Sequence, residues 1–399
     1  SSNGLEKRPK LRFPGFDEPW KETALSSVLT ERNEYAEKDG TYEHATLSKE
    51  GIYGKTARYD RDFLVSTENK KYKVTHLGDL CYNPANLKFG VICLNTYGDA
   101  IFSPIYVTFE IDASSDPDVI GAYLTRWDFI NRALKYQQGT VYERMAVSPE
   151  DFVSIKCCFP QKAEQTRLAE FITLLDNRIA AQGKYVESLK KYKRGVVRIL
   201  LSPKHCSIKN VKWTTSRIGD IGTFIKGAPL SKADISLEGT PFILYGELYT
   251  TYSEVISNVV RKTQASVDKQ YYSQIGDVII PTSGETPEEI STASCVMLPD
   301  IILAGDLNIY RCTQVDGRIM SYILNHVVND RIARIAQGKS IVHVQAAEIS
   351  KIEITYPDSF SQKTIIAILA AISDRIDQSN AELRLLYELR KALLQKLFI

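Results

Sequence analysis

Residues that could carry out catalysis or bind a metal ion are few in this sequence, and their spacing is irregular. No His-Glu-x-x-His or Cys-x-x-Cys spacing is present, and the five histidines are scattered over positions 44, 76, 205, 326 and 343. The Gly-rich loops that cradle phosphates and the Gly-x-Ser-x-Gly nucleophile motif are also missing. The sequence therefore predicts no metal site, no cofactor cradle and no catalytic residue in this chain.

Two short segments match catalytic motifs incompletely. Asn83-Pro84-Ala85-Asn86 fits the Asn-Pro-Pro-aromatic motif of adenine methyltransferases at two positions, but it lacks the aromatic residue that would stack on a flipped base. Glu68-Asn69-Lys70, with Asp60 or Asp62 upstream, fits the Glu-x-Lys part of metal-dependent nucleases. Such triplets occur by chance in lysine-rich loops. We therefore interpret the first segment as a turn and expect no catalysis from the second.

Basic and polar residues of the predicted loops suit nucleic-acid binding. Lys and Arg neutralise phosphates, and Arg, Asn, Gln, Ser and Thr can read base edges. The candidates are Lys55, Arg58, Tyr59 and Arg61 in the first half, and Lys226, Lys232, Tyr249, Arg261 and Lys262 in the second. For any one of them, a solvated surface loop is an equally good interpretation.

Two related segments each follow a predicted helix. They are Gln138-Gly139-Thr140 and Gln337-Gly338-Lys339-Ser340. A glycine that ends a helix explains the pattern structurally. Alternatively, exposed amides beside a hydroxyl or an ammonium group could grip a phosphate, which makes Gln138, Thr140, Lys339 and Ser340 further DNA-binding candidates.

Positive charge is concentrated in one segment. The chain carries a net charge of +2, yet the stretch from Arg178 to Lys212 contains ten Lys or Arg residues and one acid, Glu187. That segment is therefore +9, and the rest of the chain is −7. Such a block forms either a solvated helix face or a surface for a polyanion or an acidic partner.

The 399 residues favour at least two domains, and the two halves of the chain follow one plan. An offset of 197 residues aligns Ile155–Pro160 with Ile352–Pro357, and both segments are predicted to be short strands closed by proline. The same order of matches extends to both sides of these strands: Gln165 with Gln362, Trp20 with Trp213, and Leu77–Leu80 with Ile275–Val278. An internal duplication is the simplest explanation.

Each half ends in an apolar heptad pattern that predicts a helix about 60 Å long. The first seam contains Leu168, Ile172, Leu175, Ile179, Gln182, Val186, Leu189, Lys193, Val196 and Leu200. The second contains Ile365, Leu369, Ile372, Ile376, Ser379, Leu383, Leu386, Arg390, Leu393 and Leu397, with its polar residues in matching slots. We expect the two helices to pack antiparallel on each other, although packing on their own domains or on another chain would also bury the stripe.

The remaining segments predict mixed α and β structure. Ile105–Ile111 alternates as a strand, Asp116 and Asp316 each precede a helix, and Gly51–Asp62 and Tyr245–Tyr252 have the composition of loops. The predicted fold class is α+β, with two duplicated α/β domains separated by two long antiparallel coiled-coil helices and related by a pseudo-twofold. The boundaries are 1–160 and 203–357 for the domains, and 161–202 and 358–399 for the helices.

The composition excludes several classes of protein. With 44% hydrophobic and 25% charged residues the chain is neither disordered nor fibrous. The longest apolar run, Ile365–Ile372, is too short to span a bilayer, and the N-terminus lacks a signal-peptide core. Seven cysteines without paired spacing favour a reducing compartment. These features predict a cytoplasmic protein without a membrane partner.

The whole pattern resembles the specificity subunit of a type I restriction–modification enzyme. The resemblance lies in two variable halves, each ending in Gln-Gly, a short strand, proline and a long heptad helix. Pro9–Phe16 followed by Trp20, and Tyr82-Asn83-Pro84, are also similar to segments of that family.

This resemblance implies a non-catalytic subunit with two target-recognition domains, which read the halves of a bipartite, asymmetric site in double-stranded DNA. It also implies that the helices set the distance between the half-sites and dock two modification subunits, which hold S-adenosylmethionine and methylate adenine. Restriction/translocase subunits join the full complex. The seam positions assigned to this partner interface are Leu168, Leu175, Ile179, Leu189, Ile365, Ile372, Ile376 and Leu386.

Two other classes of function stay open at this point. A stand-alone metal-dependent nuclease or DNA methyltransferase with duplicated DNA-binding domains would act on DNA without a partner. A coiled-coil adaptor that binds only protein would show no DNA affinity and no salt-dependent binding.

The missing motifs give a first prediction. The isolated chain neither binds S-adenosylmethionine nor methylates DNA, because no cofactor cradle is present in its sequence. Titration calorimetry with that cofactor should show no binding heat, and micromolar binding would contradict the prediction.

Overall fold

The fold of the chain was analysed in a computed structural model that describes residues 8–55, 71–138, 145–336 and 342–398. The chain forms two compact units. The first contains Ser1–Gly183 and Ala381–Ile399, and the second contains Lys184–Asn380. The division between the units passes through both long helices, so each unit contains a segment of each helix. In the described ranges, no helix is long and apolar enough to cross a membrane.

In its described residues the first unit has eleven strands and three short α-helices, and it contains the start of the first long helix. The strands in its described residues are β1 (Lys21–Ala24), β2 (Leu29–Glu31), β3 (Tyr35–Ala36), β4 (Glu43–Ser48), β5 (Gly51–Gly54), β6 (Tyr72–Thr75), β7 (Leu80–Tyr82), β8 (Ile92–Leu94), β9 (Ala100–Phe102), β10 (Val107–Ile111) and β11 (Lys156–Phe159). The helices are α1 (Pro117–Leu124), α2 (Trp127–Ala133), α3 (Pro149–Ser154) and the long α4 (Lys162–Leu200).

Two sheets and an aromatic core organise the first unit. One sheet has the order β2-β10-β7-β8 and the other the order β3-β6-β9-β4-β5, while β1 pairs with β11 alone. In the core the ring of Tyr82 stacks on Phe152 at a centroid distance of 4.7 Å and on Phe109 at 6.0 Å. Stacked rings of this size bury large apolar areas, so they hold the four-stranded sheet against α3.

Within the part of the second unit that the structure describes there are twelve strands and five short α-helices, together with the start of the second long helix. The strands are β12 (Trp213–Arg217), β13 (Gly222–Lys226), β14 (Thr240–Leu244), β15 (Val255–Ile256), β16 (Arg261–Thr263), β17 (Asp277–Pro281), β18 (Ser283–Gly284), β19 (Ser294–Val296), β20 (Ile302–Ala304), β21 (Leu307–Cys312), β22 (Val342–His343) and β23 (Glu353–Pro357). The helices are α5 (Glu247–Thr250), α6 (Pro287–Ile290), α7 (Gly317–His326), α8 (Asn329–Ile335), α9 (Ala346–Ile349) and the long α10 (Ser359–Leu397).

The sheets of the second unit repeat the plan of the first with different strand numbers. A five-stranded sheet has the order β13-β21-β17-β19-β15, and a smaller one the order β16-β14-β20. Two further pairs stand apart in the described residues: β18 with β22, and β12 with β23, which matches β1 with β11. The mixture of strands and helices in each half is the predicted one.

A buried glutamine near the start of each long helix shows the duplication most directly. Gln165 accepts a hydrogen bond from the N–H of Asp116 at 2.8 Å and donates one to the carbonyl of Pro160 at 2.9 Å. Gln362 accepts from Asp316 and donates to Pro357, both at 2.8 Å. Each side-chain amide thus joins the end of a strand to the start of a helix in its own unit.

The local signals for helix starts and turns are confirmed. The carboxylates of Asp116 and Asp316 cap α1 and α7 by accepting from the N–H two residues later. Asn83 accepts from two backbone N–H groups, so its segment is the expected turn. Gly78 and Gly276 both adopt positive φ, and the aspartate after each one holds an arginine.

The long helices pack antiparallel within each unit. In the first unit Gln182 of α4 contacts Glu382 of α10, and the earlier residue Asp176 of α4 contacts the later residue Arg390 of α10. The two helices therefore run in opposite directions. In the second unit the Nε–H of Arg375 donates to the hydroxyl of Tyr185 at 3.3 Å. All twenty predicted seam positions are buried or half-buried.

Three sequence-based expectations are wrong in detail. Gly51–Gly54 is a strand that pairs with β4, because its glycines bracket an alternating Ile-Tyr pair. Glu247–Thr250 is a helical turn rather than a loop. The strand predicted from Ile105 begins at Val107, since Ile105 lies exposed in the preceding turn. Trp20 and Trp213 also differ, because Trp20 is buried against Glu164 whereas Trp213 is half-buried.

The buried amides give a second prediction. Replacing Gln362 by methionine should lower the free energy of unfolding by about 2–4 kcal/mol, because the Asp316 N–H and the Pro357 carbonyl both lose their partner. Urea denaturation measures the effect. Gln395→Met is the matched control, since Gln395 is exposed on the same helix, and an equal loss in both variants would contradict the assigned role.

Candidate nucleic-acid interface

In the second unit, four of the basic DNA-binding candidates lie around the small sheet β16-β14-β20. Arg261 and Lys262 are on the edge strand β16, and Lys226 ends the neighbouring β13. The segment between β13 and β14 forms two isolated β-bridges with this sheet. Ala228 pairs with Ala304 at one edge, and Ser236 pairs with Lys262 at the other. Because Lys232 lies between these bridges, the path of the chain brings it to the same sheet.

The charges of this cluster are largely free. Lys226, Lys232, Arg261 and Lys262 are exposed, and of these four only Arg261 is in an ion pair within the described part of the chain. Exposed ammonium groups without a counter-ion attract phosphates and raise the local concentration of a polyanion. The arrangement is therefore suited to contacting a nucleic-acid backbone.

Arg261 differs because a buried carboxylate orients it. Its Nε–H donates to Oε1 of Glu247 at 3.0 Å, and the other oxygen of Glu247 accepts from the N–H of Leu244. Glu247 also begins the short helix that carries Tyr249, a half-buried residue whose pKa is raised by burial. An oriented guanidinium suits recognition of a base edge better than a mobile one, because less side-chain entropy is lost on binding.

In the first unit, two candidates can be placed and neither stands in a comparable cluster. Lys55 follows β5, where its N–H donates to the carbonyl of His44 at 2.7 Å, and its side chain is half-buried. Gln138 is exposed, and its side-chain amide donates to Asp151 at 2.9 Å. That amide therefore has a structural role beside α3.

Several predicted positions lie outside the described residues. They include the incomplete nuclease motif, both of its upstream aspartates and the glycines after Gln138 and Gln337. The DNA-binding candidates among them are Arg58, Tyr59, Arg61, Thr140, Lys339 and Ser340.

A buried polar cluster in the second unit was not predicted from the sequence. The ammonium group of Lys193 donates to Glu254 at 2.8 Å, and Nε2 of His326 lies 2.8 Å from the other oxygen of that carboxylate. Burial alone would raise the pKa of Glu254, but the hydrogen bond with His326 and the charge of Lys193 outweigh it and hold the pKa at about 2. The only sequence signal was the polar slot of Lys193 in the heptad seam.

The equivalent slot in the first unit has a different partner. Arg390 donates to the carboxylate of Asp176 on α4, with Nη2 3.0 Å from Oδ2. Arg390 therefore connects the two helices to each other, whereas Lys193 connects α4 to the globular part of the second unit.

One side of the paired helices is covered by the globular part of each unit. In the first unit Ala169 and Leu394 are buried in the core, and in the second unit Val197 and Ile366 are. The four positions share one heptad phase, which lies opposite the exposed apolar residues described next.

The other side of each helix pair exposes large apolar residues, although in the first unit Phe13 packs on Phe171 at 5.9 Å between ring centroids and the N–H of Leu11 donates to the carbonyl of Lys396 at one end of this side. In the first unit it is marked by the ion pair Arg178–Glu382 at 2.7 Å, with exposed Leu174, Leu385 and Leu389 at heptad-related positions. We call these five residues the first helix face. The second helix face, marked by the contact between Tyr185 and Arg375, consists of exposed Tyr185, Tyr192, Ile199, Ile368 and Arg375.

Two features of the described ranges bear on catalysis: the grouping of metal-ligating side chains and the state of the cysteines. These ranges contain no group of three or more His, Cys, Asp or Glu side chains that could hold a metal ion. Burial raises the pKa of Cys157 to about 11 and that of Cys295 to about 12, which disfavours the thiolate form needed for nucleophilic attack.

One family model and several solved structures match the chain. Residues 210–386 match the family model described as the type I restriction modification DNA specificity domain. No curated protein matches the chain.

Two solved structures resemble the chain over almost its whole length. One is a chain from a study of complex assembly and conformational transition of the type I restriction–modification system, with 16% identity, coverage of 97% of this chain and 99% of that chain, and a TM-score of 0.57. The other is the S subunit of a type I restriction–modification system from M. genitalium, with 16% identity, coverage of 98% and 99%, and a TM-score of 0.54. At this identity the likeness shows a shared fold.

The polar cluster gives a third prediction. Glu254→Gln should lower the free energy of unfolding at pH 7 by about 2–3 kcal/mol, because the carboxylate is stabilised relative to its ordinary pKa of 4.5. The stability that the ionised form contributes is present above pH 4.5 and is lost as the pH falls towards 2.

Urea denaturation at several pH values tests this prediction. The wild type and Glu254→Gln should converge between pH 4.5 and pH 2. The exposed control Glu238→Gln should follow the wild type throughout, and a constant difference between wild type and Glu254→Gln would show that Glu254 does not act through its charge.

Proposed function

We propose that this chain is the DNA-recognition subunit of a type I restriction–modification system. Two observations support the proposal: the chain shares the fold of a solved type I S subunit, and its residues 210–386 match the family model of the type I restriction modification DNA specificity domain. Each unit reads one half of a bipartite, asymmetric site in double-stranded DNA. The family match of the second half carries the proposal, and the repeated Gln165 and Gln362 contacts extend it to the first half.

Recognition in the second unit uses the sheet β16-β14-β20. Lys226, Lys232 and Lys262 neutralise phosphates and position the unit on the duplex, which adds affinity without sequence information. Arg261, oriented by Glu247, and the nearby Tyr249 are the candidates for contacts with base edges. The three lysines supply the electrostatic attraction, and the oriented arginine supplies the discrimination between base sequences.

The helix faces provide the surface for the other subunits of the system. Opposite the globular parts, both helix pairs expose large apolar residues, which monomeric proteins rarely display in rows. Each face docks one modification subunit, which brings S-adenosylmethionine and the methylation chemistry, and the restriction/translocase subunits join that complex. The seam leucines and isoleucines stabilise the helix pair that presents these faces.

The alternative of a stand-alone nuclease or methyltransferase is not supported. The family match is to a DNA specificity domain, and the described residues hold no metal-binding group. A protein-only adaptor would not need the exposed lysines of the small sheet.

The duplicated architecture gives a fourth prediction, that specificity is modular. Replacing residues 208–350 by the matching segment of a related specificity subunit should change one half-site and leave the other intact, because this segment lies wholly within the second unit. Methylation sequencing of cells that carry the hybrid and its modification subunit reads both half-sites.

Inserting one heptad into each long helix is the matched control. It should lengthen the spacer between unchanged half-sites, because a seven-residue insertion preserves the seam. If the hybrid alters both half-sites, the two units do not act independently.

A further inference from the structure

We propose that the two helix faces are chemically different docking sites, and that the second helix face binds an acidic amphipathic helix of the modification subunit more tightly than the first face does. This inference rests on the proposed function and concerns the partner that the helix faces select. It comes from the duplication itself, because equivalent positions of the two long helices can be compared directly.

On α4, the exposed residues of the second helix face have the spacing of a heptad seam. Tyr185, Tyr192 and Ile199 recur every seven residues on α4, and all three are exposed. Between them lie Ser188 and Gly195, so that large and small side chains alternate at spacings of three and four. A Cβ atom added at Gly195 would meet no other atom within 4 Å, so the space above it is open. Such alternation accepts the side chains of a third helix.

A row of positive charges borders this seam. Lys184, Lys191 and Arg198 each precede one of the three large residues, and all three are exposed. In the described part of the chain none of them takes part in an ion pair or a side-chain hydrogen bond. The row therefore carries three charges that an incoming partner could neutralise.

The equivalent row in the first unit has the opposite sign. The offset of 197 residues places Ala381, Glu388 and Gln395 of α10 at the positions of the three cations. One row thus carries +3 and the other −1. Beside these rows, Tyr185, Tyr192 and Ile199 of α4 correspond to Glu382, Leu389 and Lys396 of α10, so the exposed seam is apolar at all three positions in the second unit and at one in the first. The same partner surface meets two different electrostatic environments.

The occupant is a helix with acidic flanks. A helix with a heptad repeat matches the seven-residue period of the apolar side chains, and its carboxylates complement the cationic row. A nucleic-acid backbone would neutralise the same charges but would leave Tyr192 and Ile199 without an apolar partner. Two copies of one modification subunit should therefore bind with unequal affinities. The difference should shrink at high ionic strength, where charges are screened over a few ångströms.

The experiment titrates the full-length chain with the modification subunit of its system and follows the 1:1 and 2:1 complexes by analytical ultracentrifugation. At 50 mM salt the two stepwise dissociation constants should differ by about tenfold or more, and at 500 mM salt this difference should shrink. Lys184→Glu/Lys191→Glu/Arg198→Glu should weaken the tighter step at least tenfold and leave the weaker step unchanged.

Two further variants keep the test specific. Lys204→Glu/Lys209→Glu/Lys212→Glu makes the same change of charge at exposed positions beyond α4 and should behave as wild type. Ala381→Lys/Glu388→Lys/Gln395→Lys should strengthen the weaker step and make the two steps similar. Circular dichroism verifies that each variant retains its helices.

The outcomes separate the inference from the proposed function. Two equal steps at every salt concentration, in the wild type and in all variants, would overturn the inference alone. Loss of DNA affinity with unchanged subunit assembly in the first triple variant would also overturn it, because the row would then contact DNA. If the wild type binds no modification subunit at all, the proposed function fails together with the inference.

Discussion

The architecture depends on one buried amide in each unit. Gln165 and Gln362 each accept from a helix-capping aspartate and donate to the carbonyl of a proline that ends a strand. A buried amide left without partners destabilises a fold by several kcal/mol, so strand, capped helix and long helix are held to one geometry in both units. Because the long helices begin at these contacts, the same amides set where each heptad seam starts.

The strand, capped helix and long helix joined by each amide are the same in both units, so the units differ in the segments outside these elements. Both units have a capped helix after the sheet, an isolated strand pair and a glycine turn whose aspartate holds an arginine. They differ around the second sheet of each unit, where the second unit places three exposed lysines and an arginine that a carboxylate orients. The proposed DNA-recognition role requires this division, since a shared set of supporting elements would let each unit read a different half-site.

The polar residues of the heptad seams have different structural consequences in the two units. Arg390 pairs with Asp176 on the neighbouring helix, so its charge contributes to the helix pair itself. The ammonium group of Lys193 donates to Glu254, whose carboxylate also contacts His326. This ion pair connects α4 to the globular part of the second unit. Breaking a buried charge pair is costly, which makes the junction at Glu254 more rigid than apolar packing alone would.

The sequence by itself determined the features that depend on local periodicity: the duplication, both heptad helices, the caps at Asp116 and Asp316 and the turn at Asn83. These follow from spacing along one segment, where 3.6-residue and two-residue periods reflect burial directly. Only the tertiary structure decided which charge Lys193 meets, because Glu254 is 61 residues away and belongs to a different element. The same holds for the pairing of Gly51–Gly54 with β4 and for the side of each helix that the globular part covers. A period shows that a helix has a buried face, but the packing of distant elements decides what covers it and what stays exposed.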